Sequence, residues 1–148
     1  HSNGTGAPCE ARPDGTRLAD GITAASAGSG EWARVLSQVQ PAIVALKVTV
    51  VCSFEDDQAA VALGTGFVVD KERGLILTNR HITGVGPVRA TAIFDRHEEL
   101  EVEVVYRDPI HDFGFFRYDP SRLRLTSAAE IVLDPAGLTV GSEIRVVG

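Results

Sequence analysis

From residue 42 onward the apolar side chains fall in short runs at β-strand spacing, broken by Gly, Pro and Asp, and that period admits little other than an all-β fold. The clearest stretch is 99–105, where Leu100, Val102 and Val104 alternate with Glu99, Glu101 and Glu103. Successive strand residues point to opposite faces, so one face of this strand is buried and the other is wet. Residues 42–52 are rich in Val and Ile, and 64–70 and 75–79 flank the turn Lys71-Glu72-Arg73-Gly74 as a hairpin. Residues 90–94, 113–118 and 143–147 complete about six or seven short strands, the pattern of an all-β barrel or sandwich.

The N-terminal part is different in kind. Residues 1–30 are dominated by Gly, Ala, Ser, Thr, Asp and Pro, a composition that does not offset the entropy of ordering, and a disordered tail is expected there. Behind it Trp32, Val35, Leu36 and Val39 fall at i, i+3, i+4 and i+7. They define one face of a short helix that begins near Glu31 and ends at Pro41, and the face is expected to pack on the barrel. The remaining residues, 31–148, are enough for one domain with a modest core.

Charge and cysteine usage narrow the partners. The net charge is −6, and the 14 Lys and Arg are scattered rather than striped, so no nucleic-acid partner is expected. Cys9 and Cys52 make neither a disulfide framework nor a zinc site and are expected to be free thiols. No run approaches the roughly 18 apolar residues of a membrane span.

Two segments carry chemistry. Thr78-Asn79-Arg80-His81 puts a histidine at the end of one apolar strand, and His111-Asp112-Phe113-Gly114-Phe115 puts an aspartate before another. A histidine general base needs a carboxylate to fix its tautomer and stabilise the imidazolium, and a nucleophile to deprotonate. These are two of the three members of a serine-protease triad, and no Gly-x-Ser-Gly turn appears before Gly148. Residue types alone also allow plainer roles. His81 reads as a turn residue, Asp112 as a turn cap after Asp108-Pro109, and His111 as the competitor of Asp112, since neighbours on a strand face opposite ways. His97 with Glu98 and Glu99 lacks His-Glu-x-x-His spacing, so no metal is expected. Gly64-x-Gly66 is followed by a strand, not by the helix of a dinucleotide loop.

Taken in order, Gly64-Thr65-Gly66-Phe67-Val68-Val69, then Leu75-Ile76-Leu77-Thr78-Asn79-Arg80-His81, then Asp108-Pro109-Ile110-His111-Asp112-Phe113-Gly114-Phe115-Phe116, the chain resembles the HtrA/Deg family of trypsin-like serine proteases. Gly86-Pro87-Val88, His97-Glu98-Glu99 and Tyr106-Arg107-Asp108-Pro109 are most similar to the branch of the fungal nuclear Nma111 and plant Deg7 proteases, and the resemblance runs from about Trp32 to Gly148. It implies the first six-stranded β-barrel of a chymotrypsin-like, two-barrel protease, with His81 as general base and Asp112 as its orienting carboxylate. An imidazole, with a model-compound pKa of about 6.5, suits proton exchange with serine at neutral pH.

The same resemblance implies an ATP-independent endopeptidase of protein quality control, acting on unfolded or damaged polypeptides without cofactor or metal. It places the nucleophile and the oxyanion hole in a second barrel beyond Gly148, so residues 1–148 alone are expected to be inactive. Further PDZ domains, a homo-oligomer, and an intracellular site in nucleus or plastid follow from the family. One departure is Phe113-Gly114, where many trypsin-like enzymes have an aliphatic residue followed by alanine. The alternative reading is a protease-like barrel that binds peptides without cleaving them.

Overall fold

The computed structural model of the protein describes residues 29–51, 61–137 and 139–147. Six antiparallel strands close into one barrel: β1 (Ile43–Val50), β2 (Val61–Asp70), β3 (Leu75–Thr78), β4 (Val88–Ile93), β5 (Glu99–Arg107) and β6 (Gly114–Arg117). Their order around the barrel is β1-β2-β3-β6-β5-β4. The alternation read at 99–105 is realised in β5, where Leu100 and Val102 are buried and the glutamates are exposed. Lys71 to Gly74 form the expected turn, in which Asp70 Oδ1 accepts from Arg73 N–H at 2.8 Å.

The core is the barrel interior. Phe116, Leu46, Ile76, Val44, Val48 and Val68 are almost fully buried, and Phe94 meets Tyr118 edge to face at 5.0 Å. Burying each such side chain is worth about 1.5–3 kcal/mol. The wall is narrow at Gly66: a Cβ there would sit 2.6 Å from Ile76 Cγ2 and 2.9 Å from Leu46 Cδ1, so only glycine lets β2 approach its neighbours so closely.

Helix α1 (Ser29–Val39) precedes the barrel, followed by a 3-10 turn at Gln40–Ala42 that contains Pro41. The helix includes Ser29 and Gly30, ahead of the expected start near Glu31. The rest of the expected tail, Cys9 and Cys52 lie outside the described residues. The apolar face of α1 is only partly covered: Trp32, Val35 and Val39 are half-buried and Leu36 is 42% exposed. The guanidinium of Arg145 stacks over the Trp32 ring at 4.7 Å.

The strand expected at 143–147 does not form. This segment has no ladder partner among the described residues and leaves Ile144 and Val146 exposed, while each of the six strands already has a neighbour on both sides in the closed barrel. The stretch before it is held by side-chain and backbone hydrogen bonds instead. Glu98 accepts from the N–H groups of Arg124, Leu125 and Thr126 at 2.6, 3.0 and 2.8 Å, and Ile131 N–H donates to Val68 O at 2.8 Å. Among the described residues, no helix is long and apolar enough to cross a membrane.

Candidate active site

Two connections at one end of the barrel carry the chemistry. β3 ends at Thr78, whose buried hydroxyl donates to Thr65 O at 2.8 Å and pins the strand end to β2. Asn79 is extended and caps the single turn α2 (Arg80–Thr83), which stops at Gly84, where φ is +68°. His81 sits on that turn, and Thr83 turns inward and is fully buried, its hydroxyl donating to Arg80 O at 2.7 Å.

Asp112 arrives from the loop between β5 and β6. Asp108 organises that loop: its Oδ1 accepts from Ile110 N–H at 2.9 Å and His111 N–H at 2.6 Å, and its Oδ2 accepts from the Tyr106 hydroxyl at 3.0 Å. The backbone N–H of His111, then that of Ile110 and the Tyr106 hydroxyl, hold the Asp108 carboxyl down to about 2, against the desolvation that opposes them. Arg80 ties the loop to α2, its Nη1 donating to Asp108 O at 3.0 Å and Pro109 O at 2.9 Å.

The structure brings His81 and Asp112, 31 residues apart, into direct contact. His81 Nδ1 lies 2.7 Å from Asp112 Oδ2, and His81 N–H donates to Oδ1 at 3.0 Å. Asn79 Nδ2 donates to Oδ2 at 3.2 Å and to the Asp112 carbonyl at 3.3 Å. The His81 backbone N–H, aided by its ring and by Asn79, lowers the Asp112 pKa, so the group is a carboxylate at neutral pH. The bond to Nδ1 selects the tautomer with its proton on that nitrogen and the lone pair on Nε2. Such an imidazole can take a proton through Nε2 while the carboxylate stabilises the cation.

The dyad lies open to solvent. The side chains of His81 and Asp112 are 65% and 53% exposed, because both stand on connections at the barrel end rather than on strands. His111 takes a different partner: its Nδ1 is 3.1 Å from Asp108 Oδ1, and its ring stacks on Phe113. The two neighbours diverge in a turn, not by strand alternation as the sequence reading had it. His97 lies at φ +60° in an exposed 3-10 turn, and no group of three His, Cys, Asp or Glu able to hold a metal ion occurs among the described residues.

Sequence reasoning gave no role to Asn79, Arg80 or Asp108. Asn79 and Arg80 gave no signal beyond adjacency to His81, since they bond atoms about 30 residues along the chain, whereas the Asp108 carboxylate closes a local turn onto Ile110 and His111. Gly114 gains its explanation here: a Cβ would meet Thr83 Cγ2 at 2.8 Å and Tyr106 O at 2.9 Å, so glycine is the residue that accommodates Thr83 beneath α2.

Comparison with known proteins identifies the family of the chain. The family described as a trypsin-like peptidase domain matches residues 64–148. Protease Do-like 7 of Arabidopsis thaliana is 49% identical over 127 residues, which is 86% of this chain and 12% of the relative. Pro-apoptotic serine protease nma111 of Aspergillus oryzae is 45% identical over 147 residues, 99% of this chain and 14% of the relative. Pro-apoptotic serine protease NMA111 of Yarrowia lipolytica is 42% identical over 138 residues, 93% of this chain and 13% of the relative. The chain therefore spans 12–14% of the length of these relatives. With a closed β-barrel, a His–Asp pair at one end and these matches over most of its length, the chain belongs to the trypsin-like peptidase family.

Proposed function

We infer that this chain supplies the base and the orienting acid of an HtrA/Deg-type serine endopeptidase, with His81 as general base and Asp112 as its carboxylate. The observation that carries the reading is the two-point contact of Asp112 with His81, one oxygen on the backbone N–H and the other on Nδ1. The first holds α2 against the β5–β6 loop, and the second orients the ring with Nε2 free to meet a nucleophile.

In this reading the nucleophile is a serine, contributed together with the oxyanion-hole N–H groups by a second barrel outside these residues. Nε2 takes the serine proton as its oxygen attacks a peptide carbonyl, and the imidazolium then protonates the leaving amine. Water hydrolyses the acyl-enzyme by the same base. No step calls for a cofactor or a metal. Residues 1–148 alone carry no acyl-transfer activity, and the substrates are unfolded or damaged polypeptides, met by a protein that also carries peptide-binding PDZ domains.

A fluorophosphonate probe, which reacts only with an activated serine, tests this on the protein isolated intact from its natural source. A labelled species containing this sequence is expected, with labelling lost in His81→Ala and strongly reduced in Asp112→Ala. An intact species that contains the sequence and stays unlabelled while binding denatured protein overturns the catalytic reading.

A further inference from the structure

The wall of the barrel has an opening between β4 and β5. Their ladder runs from Ile93–Glu99 to Ala90–Val102 and ends there; Arg89–Glu103 and Val88–Val104, the next pairs in that register, are not made. Two features part the strands. The β5–β6 register shifts between Val104 and Tyr106, an irregularity that bends β5. β4 meanwhile stays on β1 to its first residue, with Val88 opposite Val50 and Val51 N–H donating to Pro87 O at 3.1 Å. By antiparallel alternation, Val88 then turns its own N–H and C=O away from β1 and toward the gap.

A cavity of about 990 Å³ lies where the strands diverge. Arg107 closes one end, its Nη2 donating to Thr83 O at 3.1 Å and Gly86 O at 2.9 Å. Val88 and Val104 pack on the core yet remain half-exposed, and Val85 is 97% exposed at the lip. Among the described residues five arginines and three carboxylates line the cavity, and Arg117 Nη2 already pairs with Glu103 at 3.3 Å; the whole chain carries a net charge of −6. The surroundings therefore attract the opposite charge to the one the whole molecule favours.

Strand backbone without a partner among the described residues, apolar flanks and an excess of guanidinium groups together specify an occupant. We propose that this slot takes an extended acidic segment of a partner polypeptide as an added strand. The segment pairs with the free edge of β4 at Val88, lays its apolar side chains against Val88 and Val104, and turns its carboxylates to Arg89 and Arg122. His81 and Asp112 do not line the cavity, so the slot stands or falls apart from the catalytic reading.

Fluorescence anisotropy with a labelled Glu-Val-Glu-Val-Glu peptide tests the proposal on the whole protein, in a His81→Ala background so that hydrolysis cannot be mistaken for release. Saturable binding is expected, weakened at least tenfold by Arg89→Glu together with Arg122→Glu, both exposed positions whose fold is checked by circular dichroism. Methylating alternate backbone nitrogens of the peptide is expected to weaken binding by a similar factor, and Lys-Val-Lys-Val-Lys to show no saturation. Equal binding of the N-methylated peptide, or of inorganic polyphosphate in competition, would mean that charge alone is read and the added strand does not form. Absence of binding at millimolar peptide, or equal binding of the basic peptide, overturns the proposal as well.

Discussion

Asp108 and Arg80 are single residues on which the geometry of the dyad depends, although neither touches His81 Nε2. Asp108 has a folded pKa of about 2 against an ordinary 3.8, so its charged form is the one that folding favours. Its contribution to stability is thus complete above about pH 4 and is lost as pH falls through about 4 toward about 2. Asp108→Asn is expected to flatten the acid limb of stability in that window, read by urea denaturation at a series of pH values. Arg80→Ala frees two carbonyls of the loop that carries Asp112. Misplacement on the scale of an ångström costs a catalytic site about 10²-fold, so labelling by the serine probe is expected to slow by about 10- to 100-fold while the circular dichroism spectrum is unchanged. Unchanged labelling would remove Arg80 from the positioning role.

At the scale of elements, α2 and β6 are coupled through the contact of Thr83 with Gly114. Gly114→Ala forces a Cβ onto Thr83 Cγ2 and Tyr106 O and is expected to cost about 1–3 kcal/mol, measured as a shift of the denaturation midpoint. Thr83→Ser removes Cγ2 and keeps the hydroxyl bond to Arg80, so the double variant should recover part of that loss. Additive losses in the cycle would show that the two positions do not interact. A second coupling joins Glu98, at the start of β5, to the chain beyond β6. Glu98→Gln lowers the charge that three successive N–H groups share, and faster hydrogen exchange at Arg124, Leu125 and Thr126 is expected.

For the molecule as a whole, stability resides in the barrel interior. Phe116→Ala is expected to cost about 3–5 kcal/mol, because the ring is fully buried among strands that cannot collapse around the void. Leu36→Ala on the half-covered face of α1 should change stability far less, and an equal loss from the two would mean that α1 is part of the core. Exposed apolar residues concentrate instead beyond the barrel, at Val132, Leu133, Ile144 and Val146. Their placement fits the reading in which a second barrel packs on this part of the chain.

Local order determined what could be read without coordinates. Strand period, the Lys71–Gly74 turn and the helical face of Trp32, Val35 and Leu36 depend on residues a few positions apart, and they stand in the structure nearly where the pattern puts them. His81 and Asp112 were legible only because their flanking segments resemble a known family. Composition and spacing by themselves left each with a plainer role.

Pairing, by contrast, is non-local, and only the tertiary structure decided it. Residues 143–147 have the composition of a strand but no ladder partner among the described residues. β4 and β5 have the composition to pair along their whole length, yet the bend in β5 parts them after Ala90–Val102. The approach of Asp112 to His81 needs the barrel to bring two connections 31 residues apart to one end, with Asn79 and Arg80 bonding across that gap to the loop that Asp108 organises. A strand's period is written in its own residues, whereas its partners, its bends and the side chains that meet at its ends are set by the closure of all six.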